Sequence, residues 1–144
     1  MPSPTGRIVT TNQVLLNAKA ATGVSTTPLN VADFTSIIVA VTAPLNSTLT
    51  FKFQGSIGKS VTDSSAPDFS ATQSATNQWD YVSAYDYNDP TTLISGDTGV
   101  SIDNLAEAAN TRLYTINVSL LRWFSMSVTA YTDGSLTSWA MLAS

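Results

Sequence analysis

A chain of 144 residues with 43 % hydrophobic and 11 % charged residues is long enough to bury one core of its own, and too apolar to be a disordered tail. Ten acids against six bases give a net charge of −4, and Arg7, Lys19, Lys52, Lys59, Arg112 and Arg122 form no run, so no basic stripe for nucleic acid can be read. Cysteine and histidine are both absent, which excludes disulfides, thiol chemistry, imidazole-based triads and the commonest metal ligand.

Residues 1–12 contain Pro2, Pro4 and Gly6 and little apolar periodicity, so they read as an extended arm ahead of a single domain over 13–144. The opening "MPSPTGRIVTTNQ" lacks the apolar stretch of a signal peptide, and no segment approaches the ~20 apolar residues of a membrane span. Synthesis in the cytosol and no membrane partner are the expectations. Ser and Thr are abundant along the whole chain, in step with alternating apolar positions, as sheets with polar outer faces require.

"QVLLNA" reads as a first strand and "TTPLNVADF" as a second candidate, broken by Pro28. "TSIIVAVTA" puts Ile37, Val39 and Val41 on one face. "STLTFKFQGS" puts Leu49, Phe51 and Phe53 on one face and Thr48, Thr50, Lys52 and Gln54 on the other. The turn Pro44-Leu45-Asn46-Ser47 between them predicts a hairpin. From Gly55 to Asn77 runs a stretch of small and polar residues with no sustained period, which is long for a loop unless it binds something or covers a surface.

"NQWDYVSAYDYNDP" then concentrates aromatic and acidic residues. As one strand it sends Trp79, Tyr81, Tyr85 and Tyr87 to one face and Asp80, Val82, Ala84 and Asp86 to the other. Two readings stay open. With Val82 and Ala84 inward, the aromatics form an outer row that fills a subunit interface or stacks on sugar rings; with the aromatics inward, they are core. Asp80 and Asp86 lie roughly 20 Å apart on such a strand, at ~3.3 Å per residue. A glycosidase pair needs about 5 to 9.5 Å. Asp86, Asn88 and Asp89 offer oxygen ligands of the kind calcium takes, but turn capping before Pro90 explains the same residues.

Two short strands flank Gly96-Asp97-Thr98-Gly99, and "NLAEAAN" after Asp103 is the one helical candidate, with Asp103 as its cap. Asp97-Thr98-Gly99 has the spelling of an aspartic protease and resembles the retroviral type. In that family the aspartate follows an apolar strand directly, whereas Ser95-Gly96 intervenes here, and no second glycine motif follows. Lys59-Ser60 is the one Ser-Lys neighbour pair of note, and abundance of Ser makes it uninformative. "RLYTINVSL" sends Tyr114, Ile116 and Val118 to one side, and "RWFSMSVTAY" sends Phe124, Met126 and Val128 inward with Trp123, Ser125, Ser127 and Thr129 outward. "SLTSWAMLA" follows an Asp133-Gly134 hairpin signal. Eight to ten short strands with at most one short helix predict an all-β antiparallel sandwich or jelly roll.

The succession "STLTFKFQGS", "NQWDYVSAYDYND", "ISGDTGVSID" and "NVSLLRWFSMSVTAYTDGSLTSW" resembles small accessory virion proteins of tailed bacteriophages. The resemblance implies a β-sandwich that decorates a capsid or belongs to a tail, without catalysis or cofactor, located on the virion. Its partners would be the major capsid protein and copies of itself, with a trimer as the expected assembly. Contact residues expected on this reading are Pro2, Pro4 and Arg7 in the arm, Phe69 in the long loop, and Trp79, Tyr81, Tyr85 and Tyr87. A carbohydrate-binding or host-adhesion module using the same aromatics is the second reading, and a protease built on Asp97 the third.

Overall fold

Period-two alternation of β-branched and aromatic residues has little choice but to pair into sheets, and two sheets must then cover one another's apolar faces. The computed structural model describes residues 10–25, 27–103 and 110–144, the side chain of Asn110 excepted. Its strands are β1 Gln13–Lys19, β2 Gly23–Val24, β3 Leu29–Asn30, β4 Ser36–Ala43, β5 Thr48–Ser56 and β6 Asp80–Val82, followed by β7 Ala84–Asp86, β8 Asp89–Ile94, β9 Val100–Ile102, β10 Asn110–Asn117, β11 Trp123–Asp133 and β12 Leu136–Ala143. Sheet I has the order β1-β12-β4-β10-β7-β8, and sheet II the order β2-β11-β5-β6, with β3 also on β11 and β9 also on β5. Every pairing is antiparallel, and the chain is an all-β sandwich. Residues 104–109 of the helical candidate and the arm residues 1–9, with Pro2, Pro4 and Arg7, lie outside the described residues, and the candidate's last residue, Asn110, begins β10.

The inward faces are those the alternation predicts. Ile37, Val39 and Val41 of β4, Leu49, Phe51 and Phe53 of β5, Tyr114 and Ile116 of β10, and Phe124, Met126 and Val128 of β11 are all buried. Phe51 and Phe53 of sheet II pack on Tyr114 of sheet I with ring centroids 5.7 and 5.9 Å apart, and Phe53 stacks on Phe124 at 6.0 Å. Emptying one of these aromatic positions costs about 3–5 kcal/mol, so this cluster is the main tie between the sheets. A second tie is polar: the fully buried Ser138 hydroxyl of β12 donates to Met126 Sδ of β11 at 3.2 Å.

Three turns carry the chain from one sheet to the other, at two of which a hairpin is the expectation. Pro44–Ser47 does not close a hairpin, because β4 belongs to sheet I and β5 to sheet II. Asp133-Gly134 likewise carries the chain from β11 in sheet II to β12 in sheet I, and the Gly96–Gly99 turn from β8 in sheet I to β9 in sheet II. Each turn reverses the chain as its residues require, but the returning strand lies across the core from its predecessor. A reversal signal fixes direction and not the sheet that receives the strand. Asn46 at φ +65° and the Ser47 hydroxyl on Pro44 O at 2.7 Å shape the first of these arches. Gly99 shapes another, with φ +68° and a position where a Cβ would stand 2.5 Å from Phe51 O.

Both ends of sheet I are blunted. β1 carries irregular register with Ala18 at φ +49°, and β8 begins Asp89-Pro90, whose proline has no N–H to offer a further strand. Thr10 runs on beside β12, its N–H donating to Leu142 O at 3.1 Å.

Candidate functional site

The aromatic stretch 79–87 is two strands and not one. β6 pairs with β5 in sheet II, through Tyr81 opposite Gln54, whereas β7 pairs with β10 in sheet I, through Tyr85 opposite Thr115. The chain changes sheets at Ser83. Val82 packs against the core and Ala84 is buried within it, so all four aromatics face outward, but the change of sheet puts Trp79 and Tyr81 on one side of the molecule and Tyr85 and Tyr87 on the other. Asp80 and Asp86 are separated in the same way, opposite Gly55 in sheet II and Tyr114 in sheet I. The single-strand geometry assumed for a carboxylate pair therefore does not exist.

The acidic residues work as turn caps. Asp86 accepts the Asn88 N–H at 2.9 Å, and Asp89 accepts the hydroxyls of Thr92 and Thr91 at 2.6 and 2.7 Å, which hold its carboxyl below the usual range. Asp97 is exposed on the arch between β8 and β9, where the Gly99 N–H donates to Ser95 O at 2.9 Å. Among the described residues no group of three or more His, Cys, Asp and Glu is placed to hold a metal.

The long loop between β5 and β6 is built from repeated Asp-x-Ser turns. Asp63 accepts both N–H and hydroxyl of Ser65, at 3.0 and 2.6 Å, and Asp68 both of Ser70, at 3.0 and 2.5 Å. These bonds, the hydroxyl's more than the N–H's, hold both carboxyls below their ordinary value. Asn77, itself buried, accepts the Asp68 N–H at 2.8 Å and donates to Asp68 O at 2.9 Å, closing the loop on itself. Ser56 Oγ, within 2.7 Å of Gln78 O, ties the loop's end to β5. The Trp123 indole N–H donates to Ser64 O at 2.9 Å and fastens it to β11. Asn117-Val118-Ser119 repeats the Asx turn, so Asn117 has a backbone role.

Folded this way, the loop drapes over the outer face of sheet II. Phe69 is 4 % exposed, so it is a buried anchor and presents no ring to a partner. Its ring lies 6.2 Å from Trp79, which meets Tyr81 edge to face at 5.1 Å and 81°. Lys52 Nζ sits 4.6 Å from the Tyr81 ring centroid. The Trp79 indole N–H is taken by Ala71 O at 3.1 Å. Beneath these rings lies Gln54, which the alternation marks only as an outward polar residue. The loop has buried it: its Nε2 donates to Phe69 O at 3.0 Å, and Oε1 has no hydrogen-bond partner among the described residues. Ser125, the neighbour of Gln54 on β11, is buried as well, 2.8 Å from the hydroxyl of Ser25.

The opposite side of the molecule is different. Register across sheet I aligns Val14, Trp139, Ala40 and Leu113 on β1, β12, β4 and β10, and the Tyr87 N–H to Leu113 O bond puts Tyr87 at the end of this row. A parallel row runs Met141, Ile38, Thr115, Tyr85 and Leu93. Val14, Tyr87 and Leu93 are 65, 59 and 57 % exposed, and Tyr85, Trp139 and Leu113 are about as open as one another at 44, 38 and 37 %. Threonines 42, 111 and 137 border the rows, the first two hydrogen-bonded at 3.2 Å. Tyr85 and Tyr87 thus belong to a sheet-wide apolar face together with Trp139, Leu113, Val14 and Leu93, which come from four separated strands, so that the face as a whole cannot be read from any one stretch of sequence.

No protein-family model and no curated protein sequence matches the chain. Among solved structures it is similar to the SPBc2 prophage-derived protein YomS, with a TM-score of 0.62 at 14 % identity over 96 % of this chain and 95 % of that one. It is also similar to the PBSX exported protein XepA, with a TM-score of 0.65 at 16 % identity over 96 % of this chain but 38 % of that one. What the chain shares with these two prophage proteins is its sandwich fold.

Proposed function

We propose that the chain is a non-enzymatic structural protein of a bacteriophage particle, a capsid decoration protein that works by covering surface on the shell and on copies of itself. The outer face of sheet I carries this reading. A sheet facing water ordinarily alternates to polar residues outside, yet here two neighbouring rows of five positions each are apolar except at Thr115. At about 4.8 Å between strands and about 7 Å between rows the patch measures roughly 24 by 14 Å. That is the dimension of an interface core within a polar rim, and Trp139, Tyr85 and Tyr87 are residue types that dominate such cores. The blunted edges at β1 and Pro90 turn growth away from strand addition and leave the face as the contact. The fold shared with prophage proteins supports a phage setting.

Sedimentation of the purified protein, and its co-purification with intact particles, test this reading. The wild type is expected to self-associate and to travel with particles, and Leu113→Lys combined with Trp139→Ser is expected to leave a folded monomer absent from them. A wild-type monomer that is absent from particles refutes it, and so does a double variant that behaves as wild type.

A further inference from the structure

We propose that the cleft on the outer face of sheet II, on the other side of the molecule from the apolar face, binds a neutral saccharide. The cleft has a volume of ≈ 440 Å³ and is lined by Gln54, Phe69, Gln73, Trp79, Tyr81 and Ser127 among others. That is within the ~300–1,000 Å³ typical of small-ligand sites. Trp79 and Tyr81 form a corner of aromatic surface, and because the indole N–H is already bonded to Ala71 O, Trp79 has only its apolar ring to offer a ligand. The C–H face of a pyranose fits such a ring, and hydroxyls on its rim meet the amides and hydroxyls around it.

Gln54 is the second and independent pointer. Its side chain is 1 % exposed and one of its two polar atoms is satisfied by Phe69 O, while Oε1 is an acceptor with no donor among the described residues. A buried acceptor without a donor is destabilising, so a group that brings an O–H to it gains more than one that brings another acceptor. Hydroxyls donate and accept, and carboxylates and phosphates do not donate. The lining residues include no Asp, Glu, Lys or Arg; the cations beside them are Lys52, whose Nζ is already engaged over the Tyr81 ring at 4.6 Å, and Lys19, whose Nζ lies beside Gly23. The orientation of the amide itself follows from its bond to a carbonyl, which only Nε2 can make.

Screening the protein on an array of neutral oligosaccharides, then titrating it with the best binder, tests the proposal. In the wild type the side-chain amide resonances of Gln54 and the fluorescence of Trp79 are expected to shift on titration. Gln54→Leu and Gln73→Ala are each expected to weaken binding about tenfold or more, and Tyr85→Ala, on the opposite face, to leave it unchanged. The Leu113→Lys and Trp139→Ser double variant should bind as the wild type does, so loss of assembly and loss of sugar binding are separable. Absence of binding to every neutral sugar at millimolar concentration, or a bound sugar indifferent to both Gln54→Leu and Gln73→Ala, overturns the proposal.

Discussion

Replacing Gly99 by Ala separates a structural from a catalytic meaning of Asp97-Thr98-Gly99. Gly99 has φ +68°, where an L-residue costs about 1–2 kcal/mol as a single left-handed position. Its Cβ would in addition stand 2.5 Å from Phe51 O, on a strand whose Phe51 is fully buried, so the β5–β9 pairing must shift. Strain of that kind in a packed region adds about 1–3 kcal/mol. Together about 3 kcal/mol is expected, a large part of the ~5–15 kcal/mol that holds a domain together. With a urea slope of about 1–3 kcal/mol per molar, the unfolding midpoint followed by tryptophan fluorescence should fall by on the order of 1–3 M with the slope unchanged. Asp97→Asn, on an exposed turn position, should move it by less than about 0.5 kcal/mol. A Gly99→Ala protein as stable as the wild type would refute the argument, and peptidase activity lost in Asp97→Asn would restore the protease reading.

Titration offers two further checks. Burial, and to a smaller extent the Asp86 charge, push the Tyr114 hydroxyl up to about 12 from 10.0, with Arg112 opposing. Below pH 10 the phenol is neutral folded and unfolded; above it the unfolded chain loses the proton first, so stability should fall from about pH 10 to about 12, and Tyr114→Phe should flatten that loss in alkaline denaturation. The carboxyl of Asp68 is held below its ordinary 3.8 by the Ser70 hydroxyl and N–H, so its contribution is present above that pH and lost as pH falls through the lower folded value. Asp68→Asn keeps the turn, as Asn117 does with Ser119, and should remove the acid-induced shift of the Ser70 amide resonance while leaving the loop in place at neutral pH.

Which residues face inward was legible, because burying one side of a strand forces period two on the sequence whichever sheet receives it. Val39 and Phe53 meet that rule from opposite sheets. The sheet itself was not legible. Passing from sheet II to sheet I at Ser83 keeps the in-and-out order of Tyr81, Val82, Ala84 and Tyr85 intact while reversing where "out" points, so one apparent aromatic row becomes two sites. Gln54 was hidden for another reason. Its burial comes from Phe69, fifteen residues on, and nothing in the local pattern of β5 records a loop folding back over it. The long loop's own order was partly written in Asp63-Ser64-Ser65 and Asp68-Phe69-Ser70, whose Asx turns substitute hydrogen bonds for the apolar contacts it lacks.

The position of β12 bears on how the molecule comes into being. The strand latest in the sequence lies between β1 and β4, and β1, the earliest, has β12 as its partner in the sheet. During translation β1 therefore leaves the ribosome more than a hundred residues before the strand that will hold it, and Ile37, Val39 and Val41 wait with one flank open. Such late closure raises the entropy to be overcome before native contacts form and slows folding. A chain cut short before Leu136 would have β1 unpaired and the flank of β4 bare, so quality control by proteolysis has a clear signal to read: sheet I is whole when synthesis has passed β12, and unfinished until then.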